Sequence, residues 1–309
     1  MDYKKDVYWK NIQKFLPPEN RLNPGEEPQE YFLDFNGIRM HIDHYSASAP
    51  KARILLFHGV GGNGRLLSFI ALPLNRLGYE VICPDLPLYG CTEYEGVISY
   101  HHWVDLSAQL VRHFMKDGLP VFLFGLSAGG MLAYQTAALC PGVAGVLATC
   151  LLDQRNRAIT LKTASNPVLA VAGNFFISLT RAFTGSIRVP MKMIANMKAI
   201  ANNPELAEVL MKDKRSSGAR VPLAFVHSML NPVIAAEPEA FTLCPFLLVH
   251  PEDDRWTEVG LSRYFFDRLA CEKELHLLAG AGHFPVESEG LKQLESLCSQ
   301  FIQKHGGLN

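Results

Sequence analysis

The segment that decides the predicted fold reads Val121-Phe-Leu-Phe-Gly125-Leu-Ser127-Ala-Gly129-Gly130. Its apolar start predicts a buried strand, and residues 128–140 follow directly as a predicted helix. Ser127 must then lie on a sharp strand-to-helix turn, where side chains two residues to either side would collide with it. Such a turn exposes the Ser127 hydroxyl beside a helix N-terminus, which stabilises developing negative charge. The pattern therefore predicts a nucleophile, and the alternative is a serine that only shapes the turn.

Outside this segment, short apolar runs alternate with longer helical stretches. Strands are predicted at 53–57, 80–83, 121–124, 143–149, 245–249 and 274–278, and helices at 65–77, 101–116, 128–140, 258–269 and 286–303. Strands that are apolar on both faces predict an α/β fold, with a mostly parallel sheet covered by helices on both faces. Ahead of them, Asn36-Gly37 joins the strand-like runs 31–35 and 38–42, which predicts a β-hairpin with a type I′ turn.

The alternation stops between residues 153 and 239. No strand is predicted there, and helices are expected at 167–183, 190–201 and 204–212, each opening with a proline. The interval is far longer than an ordinary loop, which indicates a folded helical insertion. The predicted organisation is an N-terminal extension at 1–29, an α/β core made of 30–152 and 240–309, and a helical cap at 153–239.

Composition restricts the class of protein. The 309 residues are 48% hydrophobic and 19% charged, which favours a large buried core. The net charge of -1 provides no basic excess for a nucleic-acid partner. The seven cysteines are odd in number and lack C-x-x-C spacing, which indicates free thiols in a reducing compartment. Without a signal-peptide pattern or an apolar run of about 20 residues, we expect a cytoplasmic protein with no transmembrane segment.

A nucleophilic serine needs a base and an acid at the same edge of the sheet. The strand at 274–278 runs into Ala279-Gly-Ala-Gly-His283, and the strand before it runs into Glu252-Asp253-Asp254. Open α/β sheets place their sites at these carboxyl ends of strands. His283 is therefore the candidate general base, although a lone histidine is more often structural.

Through four separated motifs, the chain resembles the α/β-hydrolase fold superfamily. Within it, the chain resembles the lysophospholipase and monoacylglycerol-lipase-like serine esterases. The resemblance covers about residues 30–305 and rests on His58-Gly59-Val60-Gly61-Gly62, the Gly125-x-Ser127-x-Gly129 turn, the carboxylates after 246–250, and His283. It implies an α/β-hydrolase fold and a Ser-Asp-His catalytic triad. Here the chain order of serine, acid and histidine matches that of the family.

The first of these motifs resembles the family's oxyanion segment, His58-Gly59. The resemblance implies that the backbone N–H groups of Val60 and Ala128 bind the oxyanion. The alternative is a glycine-rich connection that only turns the chain. The next loop, Asp85-Leu-Pro-Leu88-Tyr89-Gly90, departs from the family's Asp-x-Pro-Gly-His-Gly, and Asp85 is interpreted as a structural residue that holds loops by hydrogen bonds.

The acid of the triad is ambiguous from the sequence. Family members often read Gly-x-x-Asp at this strand end, and Pro251 stands in the glycine position here. Counting from Pro251 favours Asp254, with Asp253, Glu252 and Asp153 as the alternatives. Asp153 is more simply a residue of the hinge into the insertion or a helix N-cap.

The resemblance implies a serine hydrolase that cleaves a carboxylic ester of a hydrophobic or acyl-chain small molecule, without a cofactor or a metal. The insertion is rich in aliphatic residues and methionine, which suits an acyl group. Its lysines and arginines suit transient contact with a membrane surface, although a solvated face is commoner. The alternatives are a C–C bond hydrolase, thioesterase or amidase of the same fold, or a ligand-binding protein with little turnover.

Overall fold

The computed structural model describes residues 3–4 and 6–307, without the side chains of 168–172, 175–176 and 181–182. The strands in chain order are β1 (Gln29–Phe35), β2 (Ile38–Tyr45), β3 (Arg53–Phe57), β4 (Glu80–Pro84), β5 (Val121–Gly125), β6 (Gly145–Ala148), β7 (Arg188–Pro190), β8 (Arg220–Pro222), β9 (Phe246–Pro251) and β10 (Lys273–Leu278). The six strands predicted after the hairpin overlap β3, β4, β5, β6, β9 and β10.

The helices begin and end close to the predicted positions in the core. In chain order they are α1 (Val7–Ile12), α2 (Ser68–Arg76), α3 (Tyr100–Phe114), α4 (Ala128–Leu139), α5 (Arg157–Thr163), α6 (Pro167–Thr184), α7 (Met191–Ile194), α8 (Pro204–Lys212), α9 (Leu223–Leu230), α10 (Val259–Phe266) and α11 (Ser288–His305). Within the described residues, no helix is both long and apolar enough to cross a membrane.

The main sheet has eight strands in the order β1-β2-β4-β3-β5-β6-β9-β10. Strand β2 runs antiparallel to β1 and β4, and the remaining pairs are parallel. Every residue of β3, β5 and β9 is buried. Because alternate residues point to opposite faces, the sheet is covered on both sides. The predicted α/β fold with a mostly parallel sheet is thus confirmed, with α2 packed against α11 and α3 against α4.

The hairpin ahead of the core forms as predicted. In β1–β2, Phe35 pairs with Ile38, so Asn36 and Gly37 are the two turn residues. Both have positive φ angles, 57° and 83°, which is the requirement of a type I′ turn. The local sequence alone specifies this hairpin, because asparagine and glycine tolerate that conformation best.

The segment 153–239 differs from its prediction in three ways. The expected helix at 190–201 is wrong: α7 ends at Ile194, and Ala195 instead forms a β-bridge with Ala164. The expectation of no strand is also wrong, because β7 and β8 pair antiparallel in a separate two-stranded sheet. Strands of three residues are too short to show a hydrophobic period, so the sequence carries no signal for them. Helices α5 and α9 were not predicted either.

The described residues before β1 include several that pack onto the rest of the chain. Asp6 caps α1 by accepting hydrogen bonds from the backbone N–H groups of Tyr8 (2.8 Å) and Trp9 (3.2 Å). Tyr3 and Trp9 are buried, and α1 contacts α8 of the insertion. The domain limits at 29, 152 and 239 remain predictions.

All seven cysteines are free thiols, as predicted. Six of them are buried, and Cys271 is half-buried.

Candidate active site

Ser127 lies between the end of β5 and the start of α4, at the carboxyl edge of the sheet. Its backbone has φ 56° and ψ -126°, a conformation that is strained for a residue with a side chain. The Ser127 N–H donates to Thr149 Oγ1 (3.0 Å), at the end of the neighbouring strand β6. The strained turn is therefore held by the next strand as well as by its own helix.

The glycines around Ser127 are required for a reason other than the one predicted. A Cβ at Gly125 would overlap the backbone of Gly129, and a Cβ at Gly129 would overlap the carbonyl of Phe57. The collision is thus with neighbouring backbone and not with Ser127 itself. At Gly59, however, a Cβ would lie 2.8 Å from Ser127 Cβ. Gly59 therefore allows the loop after β3 to approach the serine.

Folding brings Ser127, His283 and Asp254 into one hydrogen-bonded line. His283 Nε2 lies 2.8 Å from Ser127 Oγ, and His283 Nδ1 lies 2.7 Å from Asp254 Oδ2. His283 is 3% exposed and Asp254 is 6% exposed. The three side chains come from the loops after β5, β10 and β9, which end at the same edge of the sheet.

Asp254 is held by a dense set of donors. The backbone N–H groups of Trp256 (2.9 Å) and Thr257 (2.7 Å) donate to its Oδ1, and the Thr257 hydroxyl donates to its Oδ2 (2.7 Å). Burial would raise the pKa of Asp254, but the charge and hydrogen bond of His283 outweigh it and hold that pKa below its ordinary range. Burial would likewise lower the pKa of His283, and the Asp254 carboxylate raises it instead.

The other candidate acids lie elsewhere. Asp253 and Glu252 have exposed side chains. Asp153 is buried and forms an ion pair with Arg155 (2.8 Å), which also pairs with Glu237 (2.7 Å). Asp153 and Glu237 stand near the two ends of the insertion, so Arg155 ties those ends together. Only Asp254 of the four carboxylates bonds His283 within the described part of the chain.

The residues expected to form the oxyanion hole lie beside Ser127. Val60 and Ala128 line the same cavity as the serine. Ala128 is the first residue of α4, so its N–H has no acceptor within the helix. Both ring nitrogens of His58 are already hydrogen-bonded, so its side chain is not free to donate to an oxyanion. The Leu86 N–H donates to Nε2 (2.9 Å), and Nδ1 donates to the Gly59 carbonyl (2.7 Å). Burial lowers the pKa of His58 to about 4, so its ring is neutral and holds the loop.

The loop after β4 supports the one that carries Val60. Asp85 accepts hydrogen bonds from the N–H groups of Gly64 (2.7 Å) and Cys91 (2.7 Å) and from the Tyr3 hydroxyl (2.9 Å). This is the structural role predicted for Asp85. Where the family carries glycine, Leu88 has a φ of 86°, an unusual conformation for leucine. The departure from the family motif is therefore accommodated as backbone strain.

A cavity of about 350 Å³ opens in front of Ser127. Its walls are mostly apolar and come from α4, the insertion and the loop after β9; among them are Met131, Ile177, Val189, Met193, Leu223, Val226, Met229 and Trp256. Met131, Trp256 and Thr257 line the cavity although the sequence did not predict a site role for them. An aspartate in a loop commonly accepts hydrogen bonds from the backbone N–H groups two or three residues later. Asp254 is such an aspartate, and this signal could have pointed to Trp256 and Thr257.

Folding also brings together groups of potential metal ligands that lie apart in the sequence. Among the described residues, Cys150/Asp254/His283 and His41/Asp85/Cys91 are fully buried, Glu30/His41/Asp43 includes the half-buried Glu30, and in Glu272/Glu274/His305 Glu272 is exposed and the other two are half-buried. Cationic side chains already satisfy several of these carboxylates: Arg65 pairs with Asp43 and Glu30, and Lys304 with Glu272 and Glu274. The carboxylates of Asp43, Glu30, Glu272 and Glu274 are thus held by cations of the chain itself.

The eight-stranded sheet, the strained serine turn and the buried histidine and aspartate beside it define an α/β-hydrolase. Residues 48–287 match the family model described as serine aminopeptidase, S33, which spans most of the chain. The chain belongs to this family of α/β-hydrolases, and it is a serine hydrolase of the esterase and lipase type.

Individual relatives agree with the family match. The chain is similar to monoglyceride lipase of Homo sapiens, with 29% identity over 76% of each chain. It is also similar to phospholipase YtpA of Bacillus subtilis, with 23% identity over 75% of this chain and 87% of the other. Among solved structures, a soluble variant of monoglyceride lipase from Saccharomyces cerevisiae has the same fold, with a TM-score of 0.72 and 18% identity over 94% of this chain and 99% of that chain.

Proposed function

We propose that this enzyme hydrolyses the carboxylic ester of a single-acyl-chain substrate such as a monoacylglycerol, through an acyl-enzyme on Ser127. The observation that carries the proposal is the hydrogen-bonded line from Ser127 through His283 to Asp254, placed at an apolar cavity. A serine is a weak nucleophile unless a base accepts its proton, and this geometry supplies that base.

In the first half of the proposed reaction, His283 Nε2 accepts the proton of the Ser127 hydroxyl while Oγ attacks the ester carbonyl carbon. The N–H groups of Val60 and Ala128 donate to the resulting oxyanion. Asp254 stabilises the imidazolium and keeps the remaining proton on Nδ1. The imidazolium then protonates the departing alcohol as the carbon–oxygen bond breaks, and the acyl group stays on Ser127.

In the second half, water takes the place of the alcohol. His283 accepts a proton from the water as it attacks the acyl carbonyl, and the same two N–H groups receive the oxyanion. When the bond to Oγ breaks, the proton returns to Ser127 and the carboxylic acid leaves. The proposed cycle thus uses the three triad side chains, the two backbone N–H groups and one water molecule.

Two observations support an acyl chain as the bound group. Aliphatic, methionine and tryptophan side chains dominate the cavity wall, and such a wall favours hydrocarbon over a charged or strongly polar group. Methionines are adaptable in shape, and Met131, Met193 and Met229 all border the cavity. The human relative adds weight, since its name is monoglyceride lipase.

The test compares wild type and Ser127→Ala on p-nitrophenyl esters of increasing chain length and on a monoacylglycerol. We expect hydrolysis by the wild type that improves with chain length and is abolished in Ser127→Ala. Equal rates in the two proteins would refute the proposal.

A fluorophosphonate probe separates the alternatives. We expect an adduct on Ser127 of the wild type and none in Ser127→Ala. An unlabelled wild type would favour a ligand-binding protein with little turnover. A labelled enzyme that cleaves thioesters or amides but no ester would favour those reactions of the same fold.

A further inference from the structure

We propose that Thr257 is a positioning residue whose hydroxyl limits how strongly His283 holds a proton. The inference rests on the proposed function, because it presupposes that His283 is the general base. Thr257 is 1% exposed and follows Asp254 by three residues in the loop after β9. No step of the proposed reaction uses its side chain.

The Thr257 hydroxyl touches three groups of the site. Its Oγ1 lies 2.7 Å from Asp254 Oδ2, 3.1 Å from His283 Nδ1 and 3.4 Å from Cys150 Sγ. The backbone N–H of the same residue donates to the other carboxylate oxygen, Asp254 Oδ1, at 2.7 Å. Thr257 therefore holds both oxygens of the acid while it contacts the histidine.

The positions of the protons follow from the donors and acceptors available. Asp254 is ionised and can only accept, so the Thr257 hydroxyl donates its single proton to Oδ2. The Nδ1–H of His283 donates to the same oxygen at 2.7 Å. The free lone pairs of Thr257 Oγ1 then face His283 Nδ1–H and the Cys150 thiol. One carboxylate oxygen is thus shared between the histidine and the threonine.

This sharing has two consequences. A hydrogen bond to a carboxylate stabilises its charged form, so it reduces the pull of the carboxylate on a neighbouring proton. Oδ1 is held by two backbone N–H groups and Oδ2 by the hydroxyl, so the carboxylate plane cannot rotate away from the histidine. The hydroxyl therefore orients the acid and limits the basicity of His283, which must release its proton to the departing alcohol.

Among the described residues, three titratable groups act on His283. They are Asp254 from the loop after β9, Cys150 from the end of β6 and His250 from the end of β9. Burial lowers the pKa of His250, so that ring is neutral near pH 7. Removing the Thr257 hydroxyl should consequently act on the Asp254–His283 pair. The pKa of His283 should rise, since more of the carboxylate charge would be directed to its Nδ1 proton.

The experiment measures kcat/KM against pH for Thr257→Val, which keeps the shape of the side chain and the backbone N–H. We expect the acid limb of the profile to move to higher pH by about half a unit and kcat/KM near the limb to fall about threefold. Thr257→Ser should keep the wild-type limb because it restores the hydroxyl. Thr136→Val is the matched control, because the Thr136 hydroxyl is buried and has no hydrogen-bond partner among the described residues.

An acid limb that coincides with the wild type in Thr257→Val would overturn the inference, and so would an equal shift in Thr257→Ser. Thr257→Ala provides the same comparison if the valine variant does not fold. Fluorophosphonate labelling distinguishes failure of the proposed function from failure of the role of Thr257. A wild type without a Ser127 adduct contradicts the proposed function, whereas a labelled enzyme with an unmoved profile contradicts only the role of Thr257.

Discussion

Gly59→Ala tests whether the loop after β3 binds the oxyanion. A Cβ at this position would lie 2.8 Å from Ser127 Cβ, 2.9 Å from the Leu126 carbonyl oxygen and 3.0 Å from the Ala128 nitrogen. All three atoms belong to the serine turn, which cannot move without losing its own geometry. The loop itself must therefore retreat, and it carries the N–H of Val60 with it.

The expected magnitude follows from these distances. Ordinary contact begins at 3.4 Å, so the loop must retreat by about 0.6 Å, the difference between 2.8 and 3.4 Å. Overpacking of this kind costs about 1 kcal/mol, which corresponds to a loss of about 2 °C in Tm for a chain of this size. Loss of one oxyanion donor lowers kcat by about 100-fold or more, so a partial displacement should lower it by about 10- to 100-fold.

The assay compares kcat, KM and Tm of Gly59→Ala with those of wild type and Gly260→Ala. Gly260 lies in α10, and a Cβ there would meet nothing within 4 Å, so this control should keep wild-type kcat and Tm. We expect a loss in kcat with a small change in KM, because the donor acts mainly on the transition state. Wild-type kcat in Gly59→Ala would refute the assignment of the Val60 N–H to the oxyanion.

Three further predictions concern the charged groups. Asp254→Asn should lower kcat by about 10⁴-fold, since the amide favours the wrong tautomer of His283. Asp253→Asn should keep wild-type kcat in the same ester assay. Equal losses in the two variants would contradict the choice of Asp254 as the acid. The value of kcat/KM should fall as the pH drops through the pKa of His283, because the imidazolium cannot accept the serine proton. Since Asp254 raises that pKa, the fall should begin at a higher pH than for an isolated imidazole. Activity that persists at acid pH would contradict this prediction. Arg155→Ala should destabilise the protein by about 1–3 kcal/mol, measured as Tm, because it leaves the buried carboxylate of Asp153 without its cation; an unchanged Tm would show that this ion pair contributes nothing.

Different parts of the fold position the three polar side chains and form the cavity wall. Ser127, Asp254 and His283 stand on loops that follow directly from the strands β5, β9 and β10, which position them accurately. The cavity wall comes largely from the insertion, whose ends are tied by Arg155 to Asp153 and Glu237. The geometry of these three side chains therefore depends on the sheet, and the volume of the cavity depends on the segment 153–239.

The sequence by itself determined those parts that follow from local chemistry. The turn at Asn36-Gly37 needs residues that tolerate positive φ, and the glycines around Ser127 mark a strand-to-helix turn that admits no side chains. Hydrophobic runs predicted the core strands, since a strand buried on both faces is apolar at every position. The predicted strands also placed Ser127, the carboxylates at 252–254 and His283 after the carboxyl ends of strands.

Only the tertiary structure decided which groups meet. Asp253 and Asp254 are neighbours with the same chemistry, and the turn after β9 points one to solvent and the other to His283. The helix expected at 190–201 is broken because Ala195 pairs with Ala164, a contact that local periodicity does not encode. The Thr257 contacts join residues that lie up to 107 positions apart in the chain. Local conformational preference acts over a few residues, whereas these distances are set by the packing of the whole sheet and its insertion.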